Sequence, residues 1–492
     1  MSVFDISVLF NPSWFAYDPK SPLLFSSGLF MGLFLAFYLV YVFTRKFNRF
    51  RTAYVLLFSL FFYYKAGGMY FILLAATAVF NYFLSKVMYH AEKPGTRKVY
   101  LILLTVMNLG VLAYYKYTNF IIGNINSVFG GDISLQNIVL PIGISFFMFQ
   151  TVSYAADIYR RQIEPAGNLL DFSFYLCFFP QLVAGPIVRA KDFLPQIYEQ
   201  LKLTKEEMGN ALFLIMAGLV KKAVISDYIS LNFVDRVFSA PGSYSAIENL
   251  LAVYGYAIQI YCDFSGYSDM AIGLALLMGF KLPVNFLAPY KSSSITEFWR
   301  RWHISLSSWL RDYLYISLGG NRRGKIRTYV NLFLTMLIGG LWHGAAWRFV
   351  VWGGLHGLAL AVERALKPYL KIPQNAFTRI VGVILTFHFV AFAWIFFRAP
   401  TFGAAADVLG RIGQIDFMAE HWLTVVAAYK NVLIVLLAGF VTHFTPDGVT
   451  RRLRELFTAM PVIVKASVVG LVLWLVQATA SSEVQPFIYF QF

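Results

Sequence analysis

The sequence predicts an all-α fold, a polytopic transmembrane helical bundle, from its composition and from the pattern of its apolar residues. Hydrophobic residues make up 58% of the 492 residues and charged residues only 13%, whereas ordinary soluble domains carry about 25% charged residues. The apolar residues form continuous runs, not the alternating pattern of a transmembrane β-barrel. Since a spanning helix needs roughly 20 apolar residues, we expect about eleven spanning helices, with further re-entrant or interfacial helices.

The net charge of +16 comes from short basic clusters between the apolar runs, for example at residues 45–51, 322–327 and 451–454. Such clusters are typical of cytoplasmic loops under the positive-inside rule, so we expect a lipid bilayer as partner and no nucleic acid. The first long run, residues 23–43, is followed at once by basic residues, which predicts an N-terminus outside the cytoplasm. The two cysteines imply no disulfide framework.

Two stretches of the first half carry polar residues or helix breakers at membrane depth. Gln150, Ser153 and Asp157 lie about one turn apart and share a helix face. Residues 172–188 contain two prolines and a glycine, which predicts a broken or re-entrant segment against protein or a cavity. We therefore interpret Gln150, Asp157 and Gln181 as tunnel-lining candidates. A hydrogen-bonded helix contact explains the polar face equally well.

Asp263 and Asp269 interrupt the apolar run of residues 252–282, and each acid costs roughly 2.5–3.5 kcal/mol at a helix centre. Six residues apart on a helix, they point to different faces, which argues against a carboxylate pair for acid–base chemistry. Either they shape a tunnel, or each binds a buried arginine or caps a helix broken near Gly266. Lys221 and Lys222 are expected to close the preceding span.

Residues 297–317 combine charged with large aromatic side chains. On a helical wheel Arg300, His303, Ser307 and Arg311 fall within about 80° of one another, which predicts a continuous basic and polar stripe on one helix. The helix suits the membrane interface or the floor of a polar cavity, and a solvated cytoplasmic face is the alternative. His303, beside two arginines, is a candidate for anion binding.

A glycine-rich basic loop, LGGNRRGK, follows at residues 318–325. Its backbone N–H groups together with Arg322 and Arg323 suit phosphate binding. It is not a P-loop, because GxxxxGK[ST] is absent. The positive-inside rule explains the same charges without a ligand.

His343 lies late in an apolar run that contains no acidic residue. A titratable ring in such a run is costly unless it has a function. Gly339 and Gly340 precede it and Trp342 is adjacent. Because small residues permit close approach of a helix or a ligand, we interpret these glycines as giving a ligand access to His343. His356, in WGGLHGL, repeats the pattern more weakly.

The motifs of several hydrolase and metalloenzyme classes are missing. There is no HExxH, no GxSxG and no HxxxxD after His343, and histidine spacings of 40 and 13 do not place ligands on one helix face, so we expect no metal and no bound cofactor. A histidine suits proton removal from a hydroxyl, and cationic side chains suit a phosphorylated donor. Acyl transfer from a nucleotide thioester would use both. A glycan or phospholipid transporter and an export-complex scaffold are the alternatives.

Five stretches of the chain resemble the membrane-bound O-acyltransferase family, and within it the alginate O-acetyltransferase-like membrane proteins of bacterial exopolysaccharide systems. They are FFPQLVAGPIVR, YCDFSGYSDMAIGLALLMGF, FWRRWHISLSSWLRDYLYISLGGNRRG, LIGGLWHGAAWRFVVWGGLHG and the terminal PFIYFQF. The resemblance implies one integral-membrane domain over residues 1–492, a catalytic core at about 138–400 and a central tunnel open to both membrane faces.

The resemblance also implies the reaction and its residues. His343 of the LWHG motif would be catalytic, and His303 of the WHISLS motif would be the second functional histidine. Acetyl groups from cytoplasmic acetyl-CoA would cross the bacterial inner membrane to an exported polysaccharide such as alginate, directly or through a periplasmic SGNH-type acetyltransferase partner. Cellulose, peptidoglycan, teichoic acid and lipid hydroxyls are the alternative acceptors.

We expect His343 to act as general base while His303 helps to position the donor. Asp263 and Asp269 would shape the tunnel. The residues that we expect to contact the donor are Arg300, Ser307, Arg311, Arg322, Arg323 and Trp342.

Overall fold

The computed structural model of the protein describes residues 14–199, 202–370, 373, 375–415, 418–479, 485, 487 and 488. Every regular element in this part of the chain is helical, which confirms the predicted fold class. Seven helical segments among these residues are long and apolar enough to cross a membrane: Asn48–His90, Pro94–Phe129, Lys205–Ser239, Trp347–Leu366, Ala376–Arg398, His421–Phe444 and Val462–Thr479. Gly28–Thr44 is a shorter apolar helix.

The chain divides into two compact units. The first takes its described residues from Met1–Glu207, Leu274–Leu282 and Ser481–Pro486, and the second takes them from Met208–Gly273, Pro283–Ala480 and Phe487–Phe492. The expectation of one integral-membrane domain stays a prediction.

The first unit is built around amide and aromatic contacts between helices. Asn81 and Asn108 each donate from Nδ2 to the other's Oδ1, at 3.0 and 2.8 Å, and Thr151 donates to Asn108 Oδ1. The two amides and the Thr151 hydroxyl thus satisfy one another's buried polar groups across three helices. The helices of the unit are α1 (Gly28–Thr44), α2 (Asn48–Gly67), α3 (Phe71–His90), α4 (Pro94–Phe129), α5 (Ile144–Tyr159), α6 (Leu169–Cys177), α7 (Phe179–Leu182) and α8 (Ala190–Tyr198).

The segment predicted to be broken is broken, between α6 and α8. Tyr175 donates from its hydroxyl to Val188 O at 3.0 Å, and Gln181 donates from Nε2 to Tyr175 O at 2.5 Å. These bonds satisfy backbone carbonyls that no helix ladder reaches. Gln150, Asp157 and Gln181 are all buried in this unit, and their tunnel-lining role stays a prediction.

The second unit carries the histidines singled out from the sequence. Two of its helices are shared with the first unit in sequence: the first residues of α9 and the last residues of α12 are assigned to the first unit. Its helices are α9 (Lys205–Leu219), α10 (Asp227–Ile229), α11 (Asp235–Ser239), α12 (Ala246–Leu277), α13 (Ile295–Arg301), α14 (Ile304–Trp309), α15 (Lys325–His343), α16 (Trp347–Leu366), α17 (Ala376–Arg398), α18 (Phe402–Ile412), α19 (Ala419–Phe444), α20 (Asp447–Ala459) and α21 (Val462–Thr479).

Asp263 and Asp269 form ion pairs with lysines, not with arginines, and α12 continues unbroken through both. Lys222 Nζ lies 2.5 Å from Asp263 Oδ1 and 2.7 Å from Asp227 Oδ1, and Lys221 Nζ lies 2.7 Å from Asp269 Oδ2. Both lysines lie in a π-helical segment, Val220–Ser226, inside a longer helical stretch. The expectation that they close a span is therefore wrong, because buried carboxylates on α12 hold them inside the protein.

The terminal motif is described only in part. Phe487 packs against Phe264 and Tyr267, with ring centroids 5.4 and 5.0 Å apart, and Ile488 N donates to Asp263 Oδ2 at 2.9 Å. The other residues of the aromatic PFIYFQF stretch lie outside the described part of the chain.

Candidate active site

The helix expected to run through residues 297–317 is interrupted at His303. α13 ends at Arg301 and α14 begins at Ile304, and His303 has φ +43° and ψ +54°. This left-handed conformation costs a residue with a Cβ about 1–2 kcal/mol. The predicted continuous stripe is wrong, because the break turns His303 into the interior while Arg300 and Arg311 stay exposed.

Asn285 holds both the backbone and the ring of His303. Its carbonyl accepts from Ile304 N at 2.9 Å, and its Oδ1 lies 3.2 Å from His303 Nδ1. Oδ1 also accepts from Ser305 N at 3.2 Å and from Ser305 Oγ at 2.9 Å. A backbone N–H only donates, so this side-chain oxygen is an acceptor and His303 Nδ1 carries the hydrogen.

Burial also keeps the His303 ring neutral. The side chain is fully buried, and this desolvation lowers the pKa of His303 to about 3. With the hydrogen on Nδ1, the lone pair of the neutral ring is on Nε2.

His343 is the last residue of α15, and its ring lies among aromatic side chains. The ring centroids of Trp342, Trp352 and Phe397 lie 5.0, 5.0 and 5.4 Å from that of His343. The centroids of His303 and His343 are 6.5 Å apart. The structure therefore brings together the two histidines that the sequence singled out, 40 residues apart in the chain.

The glycines around His343 serve helix packing. A Cβ on Gly340 would lie 2.2 Å from Phe349 O, and a Cβ on Gly344 would lie 2.0 Å from the Phe349 ring. Glycine at these positions lets α15 and α16 touch through their backbones. The interpretation that these glycines give a ligand access to His343 is corrected accordingly.

His356 belongs to the same aromatic cluster. Trp299 Nε1 donates to His356 Nδ1 at 3.3 Å, and the ring of Trp352 lies between His343 and His356, at 5.0 and 4.9 Å. Both histidines are buried.

The site lies inside a region that matches a known family. A model of the membrane-bound O-acyltransferase family matches residues 161–402. The chain is 38% identical over 497 residues to the probable alginate O-acetylase AlgI of Pseudomonas putida, which covers 96% of this chain and 100% of that protein. The chain belongs to the membrane-bound O-acyltransferase family. The predicted resemblance is confirmed, and this multi-pass membrane protein is an O-acyltransferase, more narrowly a membrane O-acetyltransferase.

Other relatives of this O-acyltransferase carry other names. It is 37% identical over 422 residues to the peptidoglycan O-acetyltransferase of Helicobacter pylori, covering 80% of each chain. It is 33% identical over 285 residues to the teichoic acid D-alanyltransferase of Bacillus subtilis, covering 54% of this chain and 71% of that one.

The residues expected to contact the donor are divided between the interior and the surface of the acyltransferase. Trp342 is buried, and its ring centroid lies 5.0 Å from that of His343 and 6.2 Å from that of His303. Ser307 donates to Trp302 O at 3.1 Å, and Arg311 Nε lies 2.7 Å from Asp312 Oδ1. Their donor-binding role stays a prediction, as does that of the exposed arginines Arg300, Arg322 and Arg323.

Sequence reasoning missed Asn285, Trp302 and Trp352. Asn285 lies in a segment without helix or strand between α12 and α13, where no periodicity marks it. No sequence pattern distinguishes the two tryptophans from their aromatic neighbours, although both are fully buried. Within the described residues, no group of three or more His, Cys, Asp or Glu side chains comes together as a metal site requires.

Proposed function

We propose that this acyltransferase moves acetyl groups from cytoplasmic acetyl-CoA across the bacterial inner membrane to hydroxyls of an exported polysaccharide such as alginate. The observation that carries the proposal is the pairing of His303 and His343, buried side chains whose ring centroids are 6.5 Å apart. The alginate O-acetylase relatives support the acceptor class.

In the proposed reaction His343 removes the proton of the acceptor hydroxyl. The hydroxyl oxygen forms a bond to the carbonyl carbon, the carbon–sulfur bond breaks, and the leaving thiolate takes the proton from the His343 imidazolium. His303 Nε2 accepts a hydrogen bond from the substrate, since its other ring nitrogen is held by Asn285. Exposed arginines of the Leu318–Lys325 loop, and Arg300 and Arg311, supply positive charge for the donor phosphates.

Two variants of the proposal differ in the acceptor. In one, the acetyl group passes first to a periplasmic SGNH-type acetyltransferase that acylates the polymer. In the other, the final acceptor is peptidoglycan, which the name of the Helicobacter pylori relative supports. Tracing radiolabelled acetate into polysaccharide, peptidoglycan and lipid fractions of the cell distinguishes the acceptors.

The proposal is tested with His343→Ala, using His388→Ala as the matched control. His388 is an exposed histidine on the spanning helix α17. Because general-base catalysis contributes about 10²–10⁴-fold, we expect His343→Ala to lower acetyl transfer by that factor at equal protein level. His388→Ala should keep wild-type transfer. Wild-type acetate release from the polymer of His343→Ala cells would refute the role.

A further inference from the structure

Three buried N–H groups in the aromatic cluster that includes His343 have no hydrogen-bond acceptor among the described residues. They are Trp302 Nε1, Trp352 Nε1 and His356 Nε2, and all three side chains are 0% exposed. A buried donor without an acceptor is rare and costly in a folded protein, so each such group calls for an explanation.

The neighbouring N–H groups of the cluster do have acceptors. Trp394 Nε1 donates to Tyr290 Oη at 3.2 Å, and Trp299 Nε1 donates to His356 Nδ1 at 3.3 Å. The bond from Trp299 fixes the His356 tautomer, because a neutral imidazole that accepts at Nδ1 carries its hydrogen on Nε2. Tryptophan N–H groups of this cluster can therefore find acceptors within the protein, so the missing acceptors of Trp302 and Trp352 are not a general property of buried tryptophans here.

The chemistry of the three groups defines the ligand atom that they lack. An indole N–H only donates, and His356 has only its Nε2–H left to offer. The missing partner is therefore a hydrogen-bond acceptor such as an oxygen, and not a cation or a further donor.

Of the three donors, Trp352 lies next to the place where charge develops in acyl transfer. The Trp352 ring lies against His343, with centroids 5.0 Å apart. Trp302 is joined to Trp352 through the Trp394 ring, at 5.1 and 5.5 Å. Preorganised donors in such an apolar surrounding interact strongly with a developing oxyanion.

We propose that the N–H groups of Trp302, Trp352 and His356 bind the carbonyl oxygen of the acyl thioester and stabilise the oxyanion formed from it. This inference rests on the proposed function. When the hydroxyl oxygen adds to the carbonyl carbon, the π electron pair moves to the carbonyl oxygen and is held by these donors. Collapse re-forms the carbonyl and expels the thiolate, which takes the proton that His343 removed.

The first test compares Trp→Phe variants of the full chain, which remove the N–H and keep an aromatic ring. Acetyl transfer from acetyl-CoA is measured in membrane vesicles for Trp302→Phe and Trp352→Phe, with Trp394→Phe as the matched control, because its N–H group has an acceptor within the protein. Loss of one oxyanion donor costs about 10²–10³-fold, so we expect Trp352→Phe to lower kcat by that factor with little change in KM. Trp394→Phe should lose much less.

A second test compares binding of two unreactive donor analogues to the same protein preparation. One analogue keeps the carbonyl as an amide, and the other replaces it with a methylene thioether. The wild type should prefer the amide, and Trp352→Phe should lose this preference. A ratio of two affinities on one preparation does not depend on the fraction of protein that is folded.

The outcomes separate the two proposals. If Trp302→Phe and Trp352→Phe keep the kcat of the wild type and its preference for the amide analogue, the oxyanion site alone is overturned. Ordered water would then be the acceptor of the N–H groups. A wild type that neither transfers from nor binds acetyl-CoA overturns the proposed function, and this inference with it.

Discussion

Two regions of the second unit bury polar groups in opposite ways. The lysine–aspartate cluster of Lys221, Lys222, Asp227, Asp263 and Asp269 pairs every one of its charges within the protein, at 2.5–2.7 Å. The aromatic cluster around His343 consists of tryptophan, histidine and phenylalanine rings, and three of its N–H groups have no acceptor among the described residues. Buried polar groups that are paired within the protein support its fold, whereas the three N–H groups without an acceptor are the ones that we assign to a ligand.

The largest effect should come from breaking the charge pairing. Lys222→Met leaves the buried Asp263 and the half-buried Asp227 without their cation, and breaking a buried pair such as Lys222–Asp263 costs about 3–5 kcal/mol. We expect that loss in the free energy of unfolding, measured by denaturant titration of the protein in detergent.

Lys281→Met is the control for Lys222→Met. Lys281 is 72% exposed at its side chain and lies 3.5 Å from Glu207, so its removal should cost about 1 kcal/mol or less. Adding Asp263→Asn to Lys222→Met should recover part of the loss. Equal stability of the two lysine variants would mean that the cluster does not support the fold.

Asn285 is buried like a structural residue, yet its side chain contacts the ring of the candidate catalytic histidine His303. Asn285→Ala removes the acceptor of His303 Nδ1–H and frees the ring to change tautomer. In metal sites, removing the hydrogen-bond partner that fixes a histidine tautomer lowers activity about 10–100-fold. We expect Asn285→Ala to lower acetyl transfer by a factor of that order.

The tautomer itself provides the readout for Asn285→Ala. The ¹⁵N shifts of His303 in labelled protein should change, a result that mere loosening of the fold does not produce. Ser268→Ala, which removes only the 3.3 Å bond from Asn285 Nδ2, is the control and should keep the tautomer. Unchanged shifts in Asn285→Ala would rule out this positioning role.

A smaller effect should follow from separating α15 and α16. In Gly340→Ala the new methyl group would lie 2.2 Å from Phe349 O, and such overpacking costs about 1–3 kcal/mol. Gly354→Ala on α16 is the control, because its nearest atom would be 3.6 Å away. We expect a lower melting temperature for the first variant and no decrease for the second.

The smallest effect should come from the surface pair of Lys291 and Asp447, whose nitrogen and oxygen lie 2.9 Å apart. The hydrogen bond and charge of Lys291 hold the pKa of Asp447 below its usual value of 3.8. Because the pKa of Asp447 is lower in the folded than in the unfolded protein, its carboxylate stabilises the folded state at pH values above the unfolded-state pKa. This stabilisation is lost as the pH falls through the folded-state pKa.

Solvent screens this pair, because the Asp447 side chain is 88% exposed. We therefore expect Asp447→Asn to cost about 0.2–1 kcal/mol at neutral pH and nothing measurable once the pH lies below both pKa values. Melting temperatures measured across that range check the sign, and a difference that grows on acidification would contradict it.

The sequence predicts what depends on composition and local pattern. Continuous apolar runs give the helical membrane fold, prolines and glycine give the broken segment before α8, and His343 is marked by its apolar surroundings. Pairings over long sequence distances were missed, since no local rule assigns Lys222 to Asp263 or Asn285 to His303. The left-handed conformation of His303 is likewise set by its contacts and invalidated the helical-wheel argument.

Phe487 and Ile488 pack against α12 close to His303, and this determines when the site can be completed during synthesis. The Phe264 ring contacts both the His303 ring and the Phe487 ring, whose centroids lie 4.6 and 5.4 Å from its own. The ribosome adds Phe487 and Ile488 long after both histidines have been synthesised. The interior around the paired rings therefore reaches its final packing only after these late residues emerge, so a growing chain that has not yet reached them lacks the finished site.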